Sequence, residues 1–534
     1  MPPASRSRRV QAARWLALLA LATLLAACSL PPLEGRSQSH ALPVAEARTT
    51  TLGRAAGVVA AEHPQLSGFY ALADPHEAFA ARVQLARHAE RTLDVQYYIW
   101  RADVTGHLLL EALRDAADRG VRVRLLLDDN GIPLLDEELG VLDQHPNIEV
   151  RLFNPFVSRK FKALGFVTDF SRANRRMHNK SFTADNTATI VGGRNVGDEY
   201  FGATDGVLFS DLDVLAVGPV VEAVSHSFDA YWASASSYPI ATIAPAPSAE
   251  VVAAVHGREA MVDRSERAAD YKNAVRGLLP YDAFAGGKLP LVWAPAHLLV
   301  DDAAKGLALA QPEQLLLHHM TEAIGVPRRA LDLVSPYFVP TDAGTDYFVR
   351  LARSGVKVRI LTNSLAATDV PAVHSGYARH RQRLLEAGVV LYERKPDPTA
   401  PRDDAERGGD AFKMPGGSGS GGSSGSSLHA KTFGVDQERV FVGSFNFDPR
   451  SARLNTELGV IIDSPELAAR LAEVFAKRVP VSSWEVRLDP ATGALRWIDA
   501  ASTPPQALAS EPATTWRQRA TVTILEHLPI EWML

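Results

Sequence analysis

Apolar and polar positions run along the chain in alternating blocks. "LDVQYYIW" (93–100) reads as a strand, "GHLLLEALRDAADRG" (106–120) spaces its apolar residues at helical intervals, and "VRVRLLLDD" (121–129) and "IEVRLF" (148–153) read as further strands. A strand–helix–strand rhythm of this kind predicts a parallel or mixed sheet covered by helices. The same order returns later: "LDLVSPYFV" (331–339), a helix over "TDYFVRLARSG" (345–355), the strand "VKVRILTNS" (356–364), a helix over "YARHRQRLLEAG" (377–388) and the strand "VVLYERK" (389–395). Leu93-Asp94-Val95 answers Leu331-Asp332-Leu333, and Gly120-Val121-Arg122-Val123-Arg124 answers Gly355-Val356-Lys357-Val358-Arg359. The repeat therefore spans whole domains, with length changes confined to loops.

This pattern divides the chain into a first α/β domain over 71–236, a linker and partly helical connector over 237–328, a second α/β domain over 329–480 and a C-terminal extension over 481–534. Residues 29–70 are rich in Pro, Ala and Ser without strong periodicity and are expected to form a tether. Inside the second domain, 408–427 is a Gly/Ser loop. A chain of 534 residues, 46% hydrophobic and 22% charged, fits a globular protein of more than one domain. The net charge of −5 gives no positive argument for a nucleic-acid partner.

The two domains carry one chemical pattern. "MHNKSFTAD" (177–185) and "LHAKTFGVD" (428–436) share His, Lys, Phe and Asp at the same offsets, and each is followed, seventeen residues after its His, by an Asn: Asn195 and Asn446. On a strand, residues two apart share a face, so His178 projects with Lys180 and His429 with Lys431. An imidazole beside an ammonium suits an anion, and Lys, Asn and backbone N–H are donors fitted to phosphate oxygens. The strands "TATIVGG" (187–193) and "RVFVGS" (439–444) end in small residues, where the backbone could approach a ligand closely. Asp211 in "SDLDVLA" and Glu457 in "TELGVII" head the next strands and are candidates to accept from one imidazole nitrogen and orient the ring, with Asp213 a competitor for the role of Asp211.

Two complete copies with equal internal spacing resemble the HKD motif of the phospholipase D superfamily, over about residues 70–480. The resemblance implies two phospholipase D-like α/β domains from an internal duplication, related by a pseudo-two-fold axis, with both motifs in one shared cleft. It implies a catalytic set of His178, Lys180, Asp185, His429, Lys431 and Asp436, although Asp185 and Asp436, seven residues beyond their His, read as braces of the domain interior. It implies a covalent phosphohistidine, with His178 as nucleophile and His429 as general acid and base, Lys180, Lys431, Asn195 and Asn446 on the phosphoryl oxygens, and no metal or other cofactor. Residue spacing alone permits the two His roles to be reversed.

Other polar residues have plainer readings. Asp128-Asp129-Asn130 ends a strand and enters a turn. His374 and Tyr377, at a helix start, are candidates to line the cleft, or are surface residues. Arg172, Arg175 and Arg176 form a basic cluster before the first His that would suit lipid phosphates as well as nucleic acid.

At the N-terminus, Arg6, Arg8, Arg9 and Arg14 precede "WLALLALATLLAAC", an apolar run too short for a comfortable membrane span that reads as an export signal. Its end, Leu25-Ala26-Ala27-Cys28, resembles a bacterial lipobox, and Cys28 is the only cysteine. The resemblance implies lipidation at Cys28 and a place in a bacterial cell envelope; Ser29 after the Cys implies the periplasmic face of the outer membrane. Within the superfamily the chain most resembles bacterial cardiolipin synthases of the third type, which implies phosphatidyl transfer between phospholipids, a membrane reached through the lipid anchor, and no nucleic acid. The alternatives are a phospholipase D-type hydrolase releasing phosphatidic acid, a nuclease, or a non-catalytic phosphate-binding protein. No oligomeric state is implied.

Overall fold

The aliphatic runs that predicted strands are the strands of two mixed sheets in a computed structural model that describes residues 30–204, 208–278, 281–396 and 428–534. Cys28 and the Gly/Ser segment 408–427 lie outside the described residues. The first sheet contains β1 (Ser67–Leu72), β2 (Thr92–Tyr97), β3 (Arg122–Asp128), β4 (Ile148–Phe153), β5 (Ser181–Ala184), β6 (Ala188–Gly192), β7 (Asp213–Val217), β8 (Ser237–Pro239) and β9 (Val292–Ala294), in the order β8-β4-β3-β2-β5-β6-β7-β1-β9. The second contains β10 (Ala296–Val300), β11 (Ala330–Val334), β12 (Lys357–Asn363), β13 (Val390–Arg394), β14 (Lys431–Val435), β15 (Arg439–Gly443), β16 (Leu458–Ile462), β17 (Ser483–Leu488), β18 (Leu495–Asp499) and β19 (Gln506–Leu508), in the order β10-β16-β15-β14-β11-β12-β13-β17-β18-β19. Read from β8 in one sheet and from β17 in the other, eight strands follow in the same order. In each half the first three repeat strands, β2-β3-β4 and β11-β12-β13, are parallel, and the motif strands β5 and β14 pair antiparallel to β2 and β11.

Repeated residues do repeated work. Asp94 and Arg124 are register partners on β2 and β3 and form a buried ion pair at 2.7 Å; Asp332 and Arg359 do the same on β11 and β12 at 2.6 Å. Removing Arg124 or Arg359 would strip a buried aspartate of its ion-pair partner, which is strongly destabilising, whereas Arg124 without Asp94 would still have Asp229 at 2.7 Å. Helices Pro75–His88 and Val104–Asp118 place Phe79, Leu85, Leu109 and Leu113 in one core with Leu93, Val95, Val123 and Leu125. A separate core joins the halves: Val191, Val214 and Ala216 of the first pack with Val440, Val442, Val460 and Ile462 of the second.

The segment expected to be a tether is a folded cap. Helix Thr51–Ala60 is N-capped by Thr50, whose hydroxyl accepts from Gly53 N at 3.0 Å, and it buries Leu52, Ala55 and Ala56 in the first core. Its alanines, the best helix formers, had looked like linker composition. The connector also belongs to the sheets: β8 and β9 join the first and β10 the second, while Tyr271 of helix Glu266–Val275 packs edge-on against Phe79. The C-terminal extension adds β17, β18 and β19 to the second sheet, and Leu525 of helix Trp516–Glu526 shares a cluster with Val370 and Val373. No helix among the described residues is long and apolar enough to cross a membrane.

Candidate active site

Each motif is pinned to the backbone of the opposite half. His178 N donates to Thr456 O and Thr456 N to Arg176 O, both at 2.9 Å, while His429 N and Ala430 N donate to Ser210 O at 2.8 and 3.0 Å. A side chain at the end of the middle parallel strand, β3 or β12, fixes the residue before each His. Asp128 accepts from Met177 N at 2.7 Å, and Asn363 both accepts from Leu428 N and donates to Leu428 O at 3.0 Å. Asp128 also accepts from Asn130 N at 2.9 Å, which is the expected turn; its hold on the motif strand had no signal in the local sequence.

The orienting carboxylates cross between the halves. His178 Nδ1 donates to Glu457 Oε2 at 2.8 Å, and His429 Nδ1 donates to Asp211 Oδ2 at 2.5 Å. Both rings and both carboxylates are buried. A carboxylate on Nδ1 fixes the tautomer and leaves Nε2 as the nitrogen available for chemistry. Asp213, the competitor, is instead committed to Arg82 at 2.8 Å and Arg194 at 3.4 Å.

The small residues that end the preceding strands make room for these carboxylates and not for a ligand. A Cβ on Gly193 would lie 2.2 Å from Asp211 Oδ1, and one on Gly192 would lie 2.2 Å from Asp213 Oδ1. At the position answering Gly193 the second half has Ser444, whose hydroxyl donates to Glu457 Oε2 at 2.5 Å.

Both lysines are buried, and each ammonium donates to the carbonyl of its own His: Lys180 to His178 at 2.6 Å and Lys431 to His429 at 2.5 Å. Burial draws Lys180 well below the usual lysine range and Lys431 down to about 8. Burial, reinforced by Lys180, Lys431 and Arg450, lowers His178 well below the imidazole range. Burial and Lys431 lower His429 to about 4 against the pull of Asp211. Lys431 acts on His178 and Lys180 on His429, so the two motifs form one electrostatic site. Burial pushes Glu457 up to about 7. Burial works in the same sense on Asp211, but His429, Lys431 and Arg194 outweigh it and hold that carboxyl low. The arrangement gathers two oriented imidazoles and two buried lysines, a set of donors suited to a phosphodiester anion.

The two asparagines differ. Asn195 accepts from Ile99 N at 3.2 Å and donates to Tyr200 OH at 3.1 Å, whereas Asn446 Oδ1 is buried without a hydrogen-bond partner. Asp185 and Asp436 stand at the far ends of β5 and β14 from the histidines, at φ of 51° and 55°, and do not belong to the reacting set. Asp185 accepts from the backbone N–H of Glu90, Arg91 and Thr92 at 3.0, 2.8 and 2.9 Å; Asp436 accepts from those of Arg328, Arg329 and Ala330 at 2.9, 2.6 and 2.9 Å. They fix the entries to β2 and β11.

His374 and Tyr377 are neither cleft-lining nor on the surface. Both are buried, His374 paired with Glu511 of the C-terminal extension at 2.9 Å and Tyr377 packed against Phe338. The imidazoles have aromatic neighbours that the sequence pattern did not single out: Tyr98 lies 5.1 Å from the His178 ring centroid, and Tyr200 and Phe209 lie 5.2 and 5.3 Å from that of His429.

Comparison with known proteins adds the relatives. A family described as "Cardiolipin synthase, PLD-like domain" matches residues 83–232 and again 320–479. The chain is similar to cardiolipin synthase C of Escherichia coli K12, 48% identical over 478 residues, which is 89% of this chain and 97% of that protein. It is similar to cardiolipin synthase 2 of Staphylococcus epidermidis, 25% identical over 77% of this chain and 67% of that protein. Its fold is similar to that of a phosphatidylserine synthase from Haemophilus influenzae Rd KW20, with a TM-score of 0.53 at 13% identity, covering 90% of this chain and all (100%) of the other.

Proposed function

The chain belongs to the cardiolipin synthase, phospholipase D-like family, and from that premise we propose that it is a phosphatidyltransferase that forms cardiolipin from phospholipids. The observation that carries the proposal is the crossed pair of imidazole–carboxylate contacts, His178 with Glu457 and His429 with Asp211. In the first step His178 Nε2 attacks phosphorus, the phosphorus–oxygen bond to the leaving alcohol breaks, and His429 gives that oxygen its proton. In the second, His429 takes the proton of an acceptor hydroxyl, the new oxygen attacks phosphorus, and the phosphorus–nitrogen bond breaks. The electrostatics support this division of labour. His429 keeps a charged partner in Asp211 that stabilises its imidazolium, while His178, among Lys180, Lys431 and Arg450, is kept neutral as a nucleophile must be. The anionic phosphodiester, seated between the lysines, raises His429 enough to carry a proton. Lys180, Lys431 and the amides of Asn195 and Asn446 hold the phosphoryl oxygens.

Acylation at Cys28 would tether the enzyme to the periplasmic face of the outer membrane; the Leu25-Ala26-Ala27-Cys28 sequence supports this, as do relatives that act on membrane lipids. In the test, purified protein receives phosphatidylglycerol, with or without phosphatidylethanolamine, in mixed micelles. Cardiolipin is expected, in a reaction that needs His178 and His429. Phosphatidic acid as the sole phosphorylated lipid product, with acceptor abundant, would replace transfer by hydrolysis; cleavage of DNA without lipid consumption would replace it by a nuclease.

A further inference from the structure

The segment between β4 and the first His turns several large apolar side chains to solvent. Its short helical turns, Lys162–Leu164, Gly165–Thr168 and Phe170–Ala173, are held to the body by Phe166, whose ring lies 5.4 Å from that of Phe156. Phe161, Leu164, Val167 and Phe170 are left exposed, Phe161 at 65% and Val167 at 81%. A soluble chain with no use for them would place polar residues there.

A second element continues the face. Arg450 donates to the side-chain and main-chain oxygens of Asn174 at 2.9 and 2.6 Å and to Met533 O at 3.4 Å, so it staples the end of the chain to the end of this segment. Trp532, beside Met533, is half exposed. Arg450 and Arg453 share the helix Pro449–Arg453, which follows the motif residue Asn446, and Arg175, two residues before Met177 and the first motif, donates to Arg453 O at 2.8 Å, so this end of the segment lies beside both motifs.

The charges on the rim that lack an opposite partner have one sign. Arg159 and Lys162 pair with Asp129 and Asp136, and Arg172 with Asp169. Lys160, Arg175 and Arg453 have no carboxylate partner among the described residues, and Arg175 lies against Arg453, donating to its carbonyl at 2.8 Å.

We infer that Phe161, Leu164, Val167, Phe170 and Trp532 form a docking face that enters the surface of an anionic phospholipid bilayer, with Lys160, Arg175 and Arg453 on the head groups, and so sets the cleft against its substrate. An interfacial segment needs this combination of large apolar side chains and unpaired cations. The inference rests on the phospholipid reading of the site for its purpose, but its test is separate.

Full-length protein carrying Cys28→Ser has no other cysteine, so Val167→Cys gives a single thiol for a polarity-sensitive fluorophore, with Met261→Cys, exposed on a connector helix, as the control. Vesicles of phosphatidylglycerol should shift the emission at 167 to the blue, phosphatidylcholine vesicles should do so less, and the probe at 261 should not respond. No shift at 167, equal shifts at both positions, or a shift at 167 that grows with protein concentration without lipid would overturn the inference, the last by showing that a second copy covers the face. In otherwise unaltered protein, Phe161→Ser with Val167→Ser and Phe170→Ser should lower turnover of vesicle phosphatidylglycerol by about tenfold or more and leave turnover of a dispersed short-chain analogue within about twofold; equal losses on both would also overturn it. Entry of the probe without any phospholipid turnover would leave docking standing and sink the transfer reading instead.

Discussion

The first half lends the shared site an aspartate and the second half lends it a glutamate, and the surroundings of the two carboxylates differ more than one methylene suggests. Asp211 is backed by Gly193 and faces His429, Lys431 and Arg194, which keep it charged. Glu457 is backed by Ser444, shares Oε2 between that hydroxyl and His178, leaves Oε1 without a partner, and is pushed up to about 7. A duplicated motif has therefore become two unlike dyads: both imidazoles are neutral in the free protein, but one faces a carboxylate held charged and the other a carboxyl pushed up toward neutrality. The fold repeats strand for strand while the proton inventory does not.

The histidines give the largest separation. His178→Ala should abolish cardiolipin formation and leave no phosphorylated enzyme on rapid quench with labelled lipid. His429→Ala should lose roughly 10²- to 10⁴-fold and accumulate phosphoenzyme on His178 when the donor has a good leaving group. Label on His429 in the wild type would reverse the assignment and with it the meaning of the two dyads.

The carboxylates come next. Asp211→Asn removes a charged partner from the imidazole that must become an imidazolium, and kcat should fall by about 10³- to 10⁴-fold. Glu457→Gln keeps an acceptor for His178 Nδ1 at a carboxyl already poised to bind a proton, and the loss should be about tenfold to a hundredfold. Equal losses in kcat would mean that the asymmetry has no kinetic consequence.

Much of this was legible in the chain because repetition is a property of sequence. The alternating blocks predicted a parallel or mixed sheet, and the equal spacing of "MHNKSFTAD" and "LHAKTFGVD" carried the resemblance that implied one shared site for His178, Lys180, His429 and Lys431. What was not legible depends on contacts across the chain. Nothing local says that Asp211 serves the His 218 residues ahead of it or that Glu457 serves the one 279 residues behind it. Gly192 and Gly193 looked like room for a ligand because the carboxylates that need the space lie on another strand. The stretch before residue 70 reads as a tether from its Pro, Ala and Ser content; its helix does bury one face, Leu52, Ala55 and Ala56, but that stripe is short and mostly alanine, so composition outweighs it.

The bracing aspartates separate the halves by stability. Asp185 is fully buried and accepts three backbone N–H groups, whereas Asp436 makes the equivalent bonds partly exposed to water. Asp185→Ala should cost about 3 kcal/mol and Asp436→Ala about 1 kcal/mol, read as the shift in urea midpoint at constant slope. Similar costs would mean that the second brace is as dry in solution as the first.

The histidines and Glu457 should also push the pH dependence of stability in opposite directions. His429 falls from an ordinary 6.5 to about 4 in the folded protein. Between those values the unfolded chain holds a proton that the native site does not, so the stability from neutral burial is complete above about 6.5 and is lost as pH falls toward 4; His178, lowered further, adds to the same loss. Glu457 rises from 4.5 to about 7, so its contribution is complete below about 4.5 and is lost as pH climbs through 7. From pH 6.5 to 4.5 the two effects partly cancel in the wild type, and its urea midpoint should decline only gently toward acid. Glu457→Gln removes the compensating rise, and His429→Gln removes one source of the fall. The first variant should lose about 1–2 kcal/mol more than the wild type across that window and the second about 1–2 kcal/mol less. Parallel pH profiles for the two variants would show that His429 and Glu457 do not titrate in opposite senses on folding, and the asymmetry of the two carboxyls would then have no consequence in the free protein.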